Sequence, residues 1–454
     1  MHIGARWAGR IYRVGMVRRL QAPVVAGAIV LCMLLSVVTA ASAAHVRGTR
    51  SQASALLGGV NIAGYGSTAA QIDRNIASAR NVGAKVVRVE VPWSALEPRA
   101  AGVIDPRALA FTDHLTSDAA AAGIKVIMMV ESTPCWASSA PASIRARCRP
   151  GAAGAASAWP PTNTADYASF VAYLAQRYGP TLAALEVWNE PDQANQHYFA
   201  GPDKAARYAA LLRAAYPAIK AVDPAVPVLA GSLVGSNGAF LRALYAAGIK
   251  GYYNGLSVHF YNLTLASVRS IHEVQLANGD NTPIWLNEFG WSSCWPHYSI
   301  QQEQGCVTRS VQAANVTSVI RELARARYVA AAVLYKLQGT NAEDFGLLSA
   351  SGGHKPAFAA MRSAMLSPLG PTGRISLALR RAHGEVLASG TAPAGDFMRL
   401  EVLIGGTLRY WAAFKLDRFN RYSLALPPQL GTSGLTVRVF QYWLGPEVTA
   451  QSSI

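Results

Sequence analysis

Acidic side chains are scarce in this chain: 25 aspartates and glutamates stand against 41 lysines and arginines in 454 residues, a formal charge of +16. The basic residues never gather into a run interleaved with aromatics, as a nucleic-acid groove requires, so the charge argues for a solvated basic surface and against nucleic acid. An acidic polysaccharide is compatible with it. No Cys-x-x-Cys and no histidine at ligand spacing accompanies the five cysteines, which argues against zinc. A Gly-x-Ser-x-Gly elbow and a histidine-rich metal motif are also missing. Neither a metal nor a cofactor is expected.

Acids are absent altogether from the first 22 residues, which carry five arginines, and Pro23 to Val38 is nearly all apolar. With the small residues Ala41-Ser42-Ala43 this forms an export signal, residues 1–43, cleaved near Ala43. The competing reading is an uncleaved anchor, because Ala22 to Ala44 approaches the roughly 20 residues that span a bilayer. Cys32 follows Ile29-Val30-Leu31 and lacks the small residue that precedes a lipid-modified cysteine. A secreted or periplasmic location follows, with membrane contact only if the anchor is retained. Cleavage removes Cys32 and leaves Cys135, Cys148, Cys294 and Cys306 in two locally spaced pairs. In an exported chain an even count favours disulfides, here Cys135–Cys148 and Cys294–Cys306.

After a linker at 44–56, residues 57–366 alternate short apolar runs with longer amphipathic, alanine-rich segments, the pattern of repeated βα units. Eight strand candidates are countable: Leu57–Ile62, Lys85–Val91, Lys125–Val130, Ala183–Val187, Val226–Leu229, Gly255–Phe260, Pro283–Leu286 and Ala330–Tyr335. Most are apolar on both faces, as buried parallel strands are. Helical stretches such as Gln71–Asn81, Thr164–Tyr178, Lys204–Val222 and Val307–Ala326 lie between them. Eight units suggest a closed (β/α)8 TIM barrel, although periodicity alone also fits a doubly wound sheet. Beyond Pro368-Leu369-Gly370-Pro371 the texture becomes β-rich, with candidates Ile375–Leu379, Met398–Ile404, Arg409–Leu416, Tyr422–Leu426 and Leu435–Tyr442. Residues 371–454 therefore read as a small all-β, sandwich-like accessory domain.

Polar residues recur just past the apolar runs, where a barrel builds its active site. The second strand ends Arg88-Val89-Glu90-Val91-Pro92-Trp93, the fourth Glu186-Val187-Trp188-Asn189-Glu190-Pro191, the sixth His259-Phe260-Tyr261, and the seventh Asn287-Glu288-Phe289-Gly290-Trp291. Two carboxylates facing one another suit glycosidic cleavage, in which one protonates the leaving oxygen and the other attacks the anomeric carbon. Glu190 and Glu288 come from strands three apart, opposed across the mouth. Arg88 should sit by Glu288, with Tyr261 hydrogen-bonded to the same carboxylate, and His259 should contact the sugar. Trp93, Trp136, Trp188, Trp291 and Trp295 fall at mouth positions, where indole rings can pack on the apolar face of a pyranose; about three are expected to line the groove and the others to pack beneath it. Glu90 shares the inward face with Arg88 by strand alternation and reads as its structural partner. Glu131, Asp192, Glu343 and Asp344 read as substrate contacts or solvated loop charges.

Trp188-Asn189-Glu190-Pro191 and Trp285-x-x-Glu288-Phe289-Gly290-Trp291 resemble the strand-four and strand-seven signatures of clan A glycoside hydrolases. Within that clan the chain is similar to family 39 and to its bacterial exopolysaccharide-hydrolase, β-xylosidase and α-L-iduronidase relatives. Tyr208 to Pro217 and the segment from Phe345-Gly346-Leu347 to Lys355-Pro356 share in this, and the resemblance covers residues 57 to 366. It implies a retaining hydrolase with Glu190 as acid/base, Glu288 as nucleophile and Asn189 as a partner of the sugar hydroxyl beside the reacting carbon. One departure stands out. Many clan members place tryptophan at the end of strand eight, where this chain has Leu334-Tyr335-Lys336, so Tyr335 is the candidate platform.

Gly64-Tyr65-Gly66-Ser67-Thr68-Ala69 also matches the loose dinucleotide fingerprint, but that motif explains neither glutamate segment. A transglycosylase using the same intermediate, and a glycan-binding barrel without turnover, remain the rival readings. Fold alone does not separate them.

Overall fold

Eight short strands pair in parallel, each with the next: β1 (Leu57–Asn61), β2 (Val86–Pro92), β3 (Lys125–Glu131), β4 (Leu182–Val187), β5 (Val228–Leu233), β6 (Gly255–His259), β7 (Ile284–Phe289) and β8 (Val329–Leu334). Pairing of β8 with β1, Leu57 to Val60 beside Ala331 to Leu334, closes the ring. The computed structural model describes residues 56–261, 265–294, 306–366, 375–382, 384–392, 397–417, 419–441 and 449–454. The expected export signal, nearly all of the linker and Trp295 lie outside these residues. Among the described residues no helix is long and apolar enough to cross a membrane.

Strand alternation sorts side chains between two cores. Val87, Val89 and Val91 of β2 face outward and join the large layer between sheet and helices. Val86 faces inward, where Ile127, Ala184, Leu229, Trp285, Ala331 and Val333 fill the barrel floor. Moving up β2 toward the mouth, the next inward residues are Arg88 and Glu90, which line a cavity. An apolar floor thus carries a polar layer, because only the mouth end offers partners for charge.

The helices start where short polar side chains satisfy their first N–H groups. Thr68 and Gln71 form a capping box at Ala69–Asn81. Asp105, Asn163 and Thr308 cap Pro106–Ala121, Thr164–Tyr178 and Arg309–Arg325. The stretch resembling a dinucleotide fingerprint is therefore a barrel loop and helix cap. A Cβ on Gly64 would meet Val89 Cγ2 at 2.3 Å, so glycine lets this loop lie against β2. The fifth strand runs further than its apolar run suggested, through Gly231 and Ser232 to Leu233.

Beyond the barrel lie β9 (Ala378–Ala382), β10 (Glu385–Thr391), β11 (Phe397–Ile404), β12 (Thr407–Lys415), β13 (Arg421–Ala425), β14 (Leu435–Gln441) and β15 (Thr449–Ser453). They form antiparallel sheets of order β13-β10-β9 and β12-β11-β14-β15. Val386, Met398, Leu400, Val402, Tyr422, Val437 and Val439 make one core between them. β10 and β15 were not expected from sequence. Glu385–Thr391 is rich in small residues and Thr449–Ser453 is polar, so neither carries the alternating β-branched signature of a strand. Two disulfides, Cys135–Cys148 and Cys294–Cys306, close short loops on the barrel.

Candidate active site

Arg88 is the hub of the mouth. It is 4% exposed, and its guanidinium donates through Nε to Glu186 at 2.5 Å, through Nη1 to Glu288 at 2.7 Å and to Asn61 at 3.0 Å, and through Nη2 to Asn189 at 2.9 Å. Burial alone would lower the guanidinium, but Glu186 and Glu288 raise it above its ordinary value. Glu186 is fully buried and also accepts from Ser232 at 2.6 Å and Asn287 at 3.0 Å. Burial pushes its carboxyl up, yet the charge of Arg88, with His259 and Ser232, brings it below the usual range. Glu90 was expected to be the structural partner of Arg88. The closer carboxylate is Glu186, held under the mouth by β4, whereas Glu90 faces the cavity.

Glu288 accepts from Arg88 and, through its other oxygen, from the Tyr261 hydroxyl. Burial and then the charge of Glu288 push the Tyr261 phenol well up, which keeps it a donor. Strict alternation would send Glu288 outward with Leu286. The irregular β7–β8 pairing between Leu286 and Phe289 instead turns it to the mouth. Glu190 lies just past β4, where Trp188 and Glu190 adopt left-handed backbone, φ 67° and 45°. Such conformations are costly for non-glycine residues and concentrate at functional sites. Glu190 Oε1 lies 2.9 Å from His259 Nδ1, and Oε2 accepts from Gln193.

One oxygen each of Glu190 and Glu288 and one ring nitrogen of His259 lie within 4.8 Å of one another. A metal ion could meet three such ligands, but these carboxylates already accept from Arg88, Tyr261 and Gln193. The cavity above them measures about 590 Å³, within the range of small-ligand sites. Its aromatic wall is Tyr198, Tyr261, Tyr335 and Phe345. Tyr335 stands beside Tyr261 with ring centroids 5.8 Å apart and donates to Glu343 at 3.2 Å.

Of the tryptophans expected at the mouth, the four that are described do not line this cavity. Trp93 is fully buried, donates to Glu97 at 2.6 Å and stacks on Phe170. Trp136 packs edge-on against it and donates to the Glu97 carbonyl at 2.9 Å. Trp188 shares parity with inward Glu186, but its left-handed backbone turns it onto Tyr167 and Phe199, with Nε1 on the Tyr198 carbonyl at 2.8 Å. Trp291 is buried against Phe289. Large rings at the rim gain more by filling the layer behind the strands, provided each indole N–H finds an acceptor. His259, expected against the sugar, is also not on the cavity wall: its side chain is fully buried and touches the carboxylates instead.

The remaining acids divide. Asp192 accepts from the Val234 and Gly235 amides, and Asp344 pairs with buried Lys355 at 3.0 Å, so both serve the scaffold. Glu90, Glu131 and Glu343 line the cavity. Asn61, Glu186, Ser232 and Tyr198 went unassigned in the sequence reading. An acid in the apolar run Leu182-Ala183-Ala184-Leu185-Glu186-Val187 was the available signal, since a buried carboxylate demands a cation.

Residues 157–360 match the family model described as the glycosyl hydrolase catalytic core. That match covers less than half of the chain; together with the closed barrel it makes this protein similar to the catalytic domains of glycoside hydrolases. Among solved structures it is similar to a family 39 glycoside hydrolase from Bacteroides cellulosilyticus, at 18% identity and TM-score 0.54 over 83% of this chain and 80% of that one. It is likewise similar to a monomeric beta-xylosidase from Caulobacter crescentus, 15% identical with TM-score 0.50 over 82% and 93%. A family 30 endoxylanase from Clostridium papyrosolvens is 12% identical with TM-score 0.50 over 85% and 97%. At such identities the likeness bears on the fold. A comparison with curated protein sequences found no match.

Proposed function

We propose that the protein is an exported retaining glycoside hydrolase that cleaves O-glycosidic bonds in a poly- or oligosaccharide by double displacement. The observation that carries this reading is the approach of Glu190 and Glu288 oxygens to within 4.8 Å. Retaining enzymes hold their two carboxyl groups about 5–5.5 Å apart, whereas inverting ones leave about 6.5–9.5 Å for a water. Glu288, which accepts from Arg88 and Tyr261, attacks the anomeric carbon while Glu190 protonates the departing oxygen. The sugar is then bonded to Glu288. Glu190, now a carboxylate, takes a proton from water as that water displaces Glu288 and restores both groups. Asn189 is turned by its bond to Arg88 so that its amide nitrogen points away from the guanidinium, which suits it to hold a sugar hydroxyl. Two disulfides support an oxidising compartment.

The test is NMR of the first-formed anomer from wild-type enzyme on an activated aryl glycoside. Retention is expected, together with a fluorosugar trapped on Glu288. Inversion, or a label on any other residue, overturns the assignment. Products longer than the substrate would identify a transglycosylase working through the same intermediate.

A further inference from the structure

The cavity is acidic although the protein is basic. Its charged lining residues are Glu90, Glu131, Glu190, Glu288 and Glu343 against Arg88 and Lys336. Both cations are already engaged, Arg88 with Glu186 and Glu288 and Lys336 with Glu343 at 2.7 Å. Glu190 has His259 and Gln193. Glu90 and Glu131 have no hydrogen-bond or ion-pair partner among the described residues.

These two stand together on the β2–β3 side of the mouth, next to Glu190 on the following strand. Glu90 pairs in register with Met129, and Glu131 with Pro92, two residues further along each strand. Glu131 is only 8% exposed and opens onto the cavity. Glu90 is exposed and lines the same cavity. Burial pushes the Glu131 carboxyl well up, and the charge of Glu90 pushes it further. Burial raises Glu90 as well, against the pull of Arg88. A buried carboxylate without a cation is unfavourable, and a second carboxylate beside it adds repulsion. A natural remedy is a cation brought by the ligand.

We propose that Glu90 and Glu131 form a subsite for a protonated amino group, so that the substrate is a saccharide carrying free, non-acetylated amino sugars. This rests on the reading of the cavity as a sugar-hydrolysing site and narrows its substrate class. An ammonium has donors and no acceptor, whereas ionised carboxylates only accept, so the pairing satisfies both sides. A hydroxyl at the same place leaves the repulsion between the two acids untouched. An acetamido group carries no charge to offset them, and a uronate adds a further negative charge. Two carboxylates also fall well short of the six to eight oxygens that calcium takes.

The experiment is calorimetric titration of the full mature chain with β-linked glucosamine and galactosamine oligosaccharides, their N-acetylated and hydroxyl counterparts, and a uronate oligosaccharide, at a pH where the amine is protonated. Binding of an amino oligosaccharide at least tenfold tighter than its neutral counterparts is expected, with the advantage shrinking in salt. E131Q and E90Q, which keep side-chain volume, should each lose most of that preference while binding of the neutral sugars changes less than threefold. Equal or tighter binding of the neutral or uronate oligosaccharides by wild type overturns the proposal, as does a preference that survives in both folded variants. Turnover of neutral aryl glycosides without any amine preference sinks this subsite and leaves the hydrolase reading standing. Amine-selective binding with no turnover of any glycoside upholds the subsite and sinks the hydrolase reading.

Discussion

His259 Nδ1 lies 2.9 Å from Oε1 of Glu190 and, on the same buried side chain, 3.6 Å from Oε2 of Glu288. The imidazole thus stands beside the pair of carboxylates and off the cavity wall. Replacing it with asparagine should lower kcat by about 10²–10³-fold, the scale of a disturbed general acid/base step, while KM changes little. The loss should be smaller for activated leaving groups, which need little protonation. Comparing dinitrophenyl and unactivated glycosides checks this, and a uniform rise in KM would instead place His259 against the sugar.

E288A should abolish hydrolysis, since its side chain supplies the nucleophile. Azide can occupy the vacated space on an activated substrate and should give a glycosyl azide of inverted configuration. E190A should spare formation of the covalent intermediate with activated substrates and slow its breakdown, visible as a burst. Azide then attacks the intermediate and should give the retained product.

R88M should be strongly destabilising, by about 3–5 kcal/mol, because it leaves Glu186 buried with no cation. Adding E186Q should recover part of that loss without restoring activity, since Glu288 still lacks its donor. Urea denaturation of the two variants measures both effects.

Glu131 predicts a specific pH dependence of stability. Its folded carboxyl is raised, so the folded state holds the proton more tightly than the unfolded chain, whose carboxyls titrate at about 4.3. Its stabilising share is full below that value and is lost as pH rises toward the folded value, because stability falls where the native state binds more protons. E131Q should therefore raise Tm at pH 7–8 by about 1–2 °C for each kcal/mol recovered and make little difference at pH 4. Melting curves of both proteins across pH decide it.

The module beyond residue 370 has its own core, and among the described residues no cavity-lining residue lies past Phe345. A chain ending near residue 370 should keep kcat on a small aryl glycoside within a few-fold while its Tm falls. Complete loss of turnover in a folded truncation would place part of the module in the active site.

Sequence was most informative where a single physical rule governed many residues. Apolar runs with no polar face announced buried parallel strands, and all eight barrel strands fall on them within a few residues. Glu190 and Glu288 stood out because acids at strand ends have no structural reason to recur. Local spacing was enough to pair the cysteines, since a short loop keeps its two ends together. β10 and β15 escaped because small and polar strands look like loops until a neighbouring sheet supplies their partners.

Tertiary structure decided what depends on direction. Trp188 and Glu288 both point opposite to strict alternation, one through a left-handed backbone and the other through irregular strand pairing, and neither is visible in a string of residue types. The choice of Glu186 over Glu90 as the partner of Arg88 required knowing that β4 lies near β2 across the barrel floor. Sequence alone also placed five tryptophans at the rim, four of them among the described residues, without showing which side of the sheet each would fill. Only the closed barrel shows that the rings lie behind the strands, leaving tyrosines, a phenylalanine and an excess of carboxylates to face the ligand. Residue type sets which interactions are available, while the angle at which each strand ends sets which of them can form.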